Sequence, residues 1–188
     1  MQDSVTPWRI VEVAMTSIRS LVASLGLASA CVVGAAAWAD TVVHKDAAFL
    51  KDAAQAGHME VEGSRLALSK ASSAQVKSFA QQIIDDHARA GAELATLAAA
   101  KGVKLSDDPS LAQKAKLKLL GTHEGAKFDA KYAETVGVSA HEDAVKLFSK
   151  ASTEANDPDV KAFAAKTLPT LQHHLEMARS MQAATGKY

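Results

Sequence analysis

The chain has 188 residues, enough for one domain with its own core and too few for two comfortable ones. Its 21 basic and 21 acidic residues balance. Arg9, Arg19, Asp3 and Glu12 precede Asp40, so 19 of each sign remain beyond that point. A neutral chain without a basic block has no electrostatic reason to bind nucleic acid or an anionic membrane. The single cysteine, Cys31, also precedes Asp40, which excludes a disulfide framework, a thiolate nucleophile and a Cys-ligated zinc site from the rest of the chain.

Leu21 to Ala39 is apolar or small throughout, with Arg19 before it and Ala37-Trp38-Ala39 at its end. A short basic region, an apolar run and an A-x-A site describe a secretory signal peptide, cleaved between Ala39 and Asp40. Residues 1–14 carry Asp3 and Glu12, so Met15 is a better initiator for it. The reading is therefore residues 1–39 as signal peptide and 40–188 as a periplasmic or secreted domain. Two rival readings share the segment. Uncleaved, it would be about long enough to span a bilayer, which takes roughly 17–25 residues. Ala28-Ser29-Ala30-Cys31 also has some likeness to a lipoprotein signal, with Cys31 as an outer-membrane lipid anchor.

Beyond Asp40, Ala dominates and Pro is rare, so helix is favoured over strand. Asp46 is read as the cap of a first helix reaching about Lys70. Ser72 and Gln75 form an S-x-x-Q capping box for a second, which ends at Lys101 with Gly102 just beyond. Asp108-Pro109 opens a short third segment with Pro at its first helical position, and Gly121 to Gly125 interrupts it. A main third helix is expected from about Ala126 to Ser152, and Asp157-Pro158 begins a fourth, to about Ala184. Pro169 inside that helix removes one backbone bond and should kink it. Val76-Lys77-Ser78-Phe79-Ala80 and Val160-Lys161-Ala162-Phe163-Ala164 form a weak internal repeat, which pairs the helices as two hairpins. The fold expected is all-α: an up-down, ferritin-like four-helix bundle with short connections and a short extra helix before the third main one.

At about 100° per residue, the inward stripes carry polar residues that burial alone would not choose: Glu60, His87, Asp129 and His174. His141 lies just off its stripe. A buried carboxylate needs a donor, and His87 is the candidate partner of Glu60. The first reading is a hydrogen-bonded network in a non-enzymatic binding or envelope-stress module. The alternative is a site for a single transition-metal ion on Glu60, His87, His141 and His174, with Asp129 as a weaker member; carboxylate and imidazole suit iron, manganese, zinc or copper. A second arrangement places His173, His174, Met177 and Met181 within about a 100° arc, a face suited to Cu(I), to which His58-Met59 would add. Asp85 and Asp86 are read as facing water. A dinuclear carboxylate centre requires Glu-x-x-His on two helices, and Ile84, Val138 and Leu171 stand three before the inward histidines. A ferroxidase is therefore not expected. There is no nucleophile elbow or phosphate loop.

The stretches Phe49 to Glu60, Asp86-His87 after Phe79-Ala80, Gly125 to Tyr132, His141 and Leu168-Pro169 to His174-Leu175 together resemble a bacterial family of exported proteins of unknown function. Its members are often labelled predicted outer membrane proteins. The resemblance spans roughly Ala47 to Ala183. It implies a ferritin-like helical fold and an export route, and no activity or ligand.

Overall fold

The computed structural model describes residues 43–186. The expected signal peptide, the expected initiator Met15 and Cys31 all lie outside the described residues. Six α-helices follow: α1 (His44–Lys70), α2 (Ala74–Ala100), α3 (Leu111–Leu120), α4 (Gly125–Tyr132), α5 (Ala140–Glu154) and α6 (Pro158–Thr185). A π-helical segment, Ala133–Ser139, joins α4 to α5. No strand occurs among the described residues, and none of their helices is long and apolar enough to cross a membrane.

The helix ends are set by local chemistry, and some differ from expectation. Asp46 lies inside the first turn of α1 and does not cap it; its buried carboxylate accepts from the backbone N–H of Asn156 and Asp157, 2.9 and 2.7 Å away. The cap of α2 is Ser73, one residue past the expected Ser72, because Ser72 is engaged elsewhere by Asp129. Helix α3 starts two residues after Pro109, where Ser110 and Gln113 form a reciprocal capping box. Gly102 takes a positive φ of 66° just after α2, a conformation glycine adopts at little cost. Asp157 caps α6 through the N–H groups of Asp159 and Val160, and the helix continues through Pro169.

These caps also fix the directions of the rods. Asp129, near the start of the third rod, accepts from the backbone of Ser72 and Ser73 at the start of α2. Asp46, at the start of α1, holds the start of α6. Lys101, just past α2, bridges Asp157 and Asp159 at 2.7 Å each, and those bonds push its ammonium pKa up to about 12. Helices α1 and α6 therefore run one way, and α2 and the α4–α5 rod the other. Two connections are short, as expected, but residues 101–124 form a long crossover carrying α3 back along the bundle. Helix α1 neighbours α2 and α5, and α6 neighbours the same two.

The core divides into two apolar clusters. One gathers Phe49, Leu50, Leu94, Phe148, Val160 and Phe163; the other gathers Val76, Phe79, Ile83, Phe128, Tyr132 and Met181. Between them each of the four rods contributes one polar residue: Glu60, His87, His141 and His174.

Candidate metal centre

Glu60, His141 and His174 are almost wholly buried, and the His87 side chain is 9% exposed. Glu60 and His87 meet as expected: Glu60 Oε2 lies 3.2 Å from His87 Nδ1. His141 comes inward because of the π segment. A wider turn advances roughly 80° per residue in place of 100°, so five residues bring His141 back toward the face of Val136. Its Nδ1 donates to the Val136 carbonyl at 2.9 Å. A uniform helical period misses this, which is why His141 falls off the stripe in the sequence and Ala140 falls on it. His174 Nε2 donates to Asp86 Oδ2 at 2.8 Å. Asp86, read from sequence as facing water, is instead 19% exposed and ties α2 to α6; its other oxygen pairs with Arg89.

His141 and His174 each donate one ring N–H to an oxygen acceptor, which fixes their orientation, and His87 sets Nδ1 against Glu60, so one nitrogen of each ring is left over. Those other atoms, His87 Nε2, His141 Nε2 and His174 Nδ1, are buried and have no hydrogen-bonding partner among the described residues, and neither does Glu60 Oε1. One ligand atom from each of the three histidines lies within 4.8 Å of the others. The ring centroids are 5.4 to 5.9 Å apart. Nitrogens bound at about 2.1 Å around a tetrahedral ion stand roughly 3.4 Å apart, so small side-chain rotations would close the set. Glu60 is not within this mutually close group; it lies against His87 and, at 3.8 Å, against His141 Nδ1.

The protonation states suit ligation. Burial pushes the His87 pKa down, against the raising influence of Glu60 and with a further lowering from His141. Burial also carries His174 down to about 4, although its bond to Asp86 opposes the shift. Both imidazoles are neutral near pH 7, the form that binds metals. Tyr132, hydrogen-bonded to Ser64 at 2.8 Å, is raised by burial first and stays a neutral hydroxyl.

The remaining sequence candidates are placed elsewhere. Asp129 is buried but accepts from Ser72 N, Ser72 Oγ and Ser73 N, so its carboxylate is used up in holding the chain that leads into α2. The His/Met face does not assemble. His173 is exposed, while Met177 and Met181 pack into the apolar cluster of Phe79 and Tyr132. His58 Nε2 bonds the Ser106 carbonyl at 3.1 Å, and Met59 is buried.

A cavity of about 400 Å³ adjoins the centre, with Glu60, His87, Asp86 and His174 in its wall.

Three comparisons bear on the chain. A family model described as a domain of unknown function, DUF4142, matches residues 32–181. The crystal structure of a DUF305 fragment from Deinococcus radiodurans is similar in fold, with a TM-score of 0.66 at 15% identity, covering 78% of this chain and 99% of that one. No curated protein matches.

Proposed function

The chain belongs to the DUF4142 family of domains of unknown function, and from that premise we propose that it is an exported module that binds one divalent transition-metal ion through His87, His141 and His174. The observation that carries the reading is three histidines with one ring nitrogen each within 4.8 Å of the others, each ring also holding a buried nitrogen without a partner among the described residues. An unpaired buried polar atom costs on the order of 1–3 kcal/mol, so the four call for a bound ion or water to satisfy them, and one ion would serve several ring nitrogens at once. Carboxylate or carbonyl partners behind ligating histidines are the usual outer shell of a metal site. Glu60 acts as such a partner for His87, and Asp86 and the Val136 carbonyl do so for His174 and His141. Three imidazoles as ligands favour zinc or copper over hard cations. Export is supported by the apolar run Leu21–Ala39 and its Ala37-Trp38-Ala39 end.

The test is metal content and thermal melting of untagged protein, followed by titration with Zn²⁺ or Cu²⁺. One equivalent should bind. At a free-ion concentration about a hundredfold above Kd, melting should rise by about 5–10 °C and fall back with chelator. Sub-stoichiometric binding with an unchanged melt would leave the hydrogen-bonded network as the role of these residues. An N-terminal mass beginning at Asp40 tests export by cleavage, and a lipid-modified Cys31 would contradict it.

A further inference from the structure

We infer that the proposed ion keeps an open coordination position facing the adjoining cavity, where a small molecule with one nitrogen or oxygen donor and an apolar, ring-sized body binds. This rests on the metal reading and adds the class of ligand. Two of the three histidines, His87 and His174, form part of the cavity wall together with Glu60, and His141 does not. The cavity therefore meets the centre on the His87–His174 side. Its lining also includes Leu94, Phe148, Phe163 and Leu171, large side chains of one apolar cluster. At about 400 Å³ the space lies in the range of small-molecule sites and far exceeds the roughly 30 Å³ share of one water. Three protein nitrogens with a fourth position left open is the arrangement of metal sites that accept exogenous ligands.

Gly57 on α1 keeps the wall open beside the centre. A Cβ added there would meet only His87 Nδ1, at an ordinary 3.8 Å, so alanine fits and any longer side chain enters the space next to that ring.

Cobalt(II) reports on this directly, because its visible absorption follows its coordination. Protein loaded with one equivalent of Co²⁺ is titrated with imidazole and, separately, with 4-phenylimidazole, and cobalt content is checked after dialysis. Both should change the spectrum without removing cobalt, and 4-phenylimidazole should saturate at a concentration at least about tenfold lower, because its ring is buried against the apolar wall. Gly57→Leu should keep its cobalt and lose the preference for the larger ligand, whereas Gly57→Ala keeps both. Bound cobalt whose spectrum ignores both ligands, or equal saturation by the two in the unaltered chain, overturns the inference and leaves the metal reading standing. Failure to take up cobalt at all overturns both.

Discussion

Asp86 shows how much one side chain decides at the residue scale. It sits beside His87 in the run Asp85-Asp86-His87, where two adjacent acids look like a solvated helix surface. One position round the helix from an inward residue is a boundary, and whether a side chain there reaches solvent or a neighbour depends on which helix packs alongside. Here that neighbour is α6, and Asp86 receives the His174 N–H. Replacing Asp86 with alanine removes the partner that orients His174, a proposed ligand. Zinc affinity measured by competition titration should fall about 10- to 100-fold with the stoichiometry still one; an unchanged affinity would remove Asp86 from the account. Burial of the imidazoles has its own signature. Both His87 and His174 are held below the 6.5 of an exposed histidine, His174 at about 4. As pH falls through 6.5 the unfolded chain takes up protons that the native one refuses. Stability of the metal-free protein should therefore decline from about pH 6.5 toward pH 4, by up to about 1.4 kcal/mol per pH unit for each imidazole, and the His174 contribution levels off below its folded value. Urea denaturation at several pH values checks this, and a flat profile would contradict it.

At the scale of elements, Asp46-Ala47-Ala48-Phe49 and Asp129-Ala130-Lys131-Tyr132 do the same work. Each aspartate accepts from the backbone just before a helix of the other hairpin, and the aromatic three residues on is buried in one of the two clusters. The repeat between Val76–Ala80 and Val160–Ala164 makes the hairpins visible in the sequence. It does not show that their first helices exchange caps, because the backbone N–H groups that satisfy Asp129 carry no mark in a sequence. Inward burial of Asp129 was legible, and its use was not: a buried carboxylate is satisfied equally well by a metal or by three donors. Asp129→Ala should cost about 2 kcal/mol of stability and leave metal stoichiometry at one, a split that denaturation and titration read separately. The π segment was likewise hidden, since periodicity presumes a constant turn. Its packing is tight: a Cβ on Gly63 would come within 2.7 Å of the Val136 side chain. Gly63→Ala should therefore destabilise by about 1–3 kcal/mol. Gly57→Ala, with an ordinary contact at 3.8 Å, should stabilise by about 0.4–1 kcal/mol through the unfolded chain. The opposite order of melting temperatures would contradict the placement of these helices.

For the molecule as a whole, composition and helix stops were enough for an all-α bundle with an extra helix in its second connection. They did not show that this connection runs back along the bundle, because a crossover differs from a turn by contacts distant in sequence. The consequence reaches the polar layer. Directing α2 and the third rod the same way brings His87 and His141 to one level, with Glu60 and His174 arriving from the two rods that run against them. A polar layer forms between two apolar clusters, one residue from each rod. Diffraction from a crystal soaked in Zn²⁺, recorded on both sides of the zinc absorption edge, tests the central claim most directly. The account predicts one strong anomalous peak inside the bundle, about 2.1 Å from ring nitrogens of His87, His141 and His174. Peaks confined to surface residues such as His173, with none in the polar layer, would contradict it.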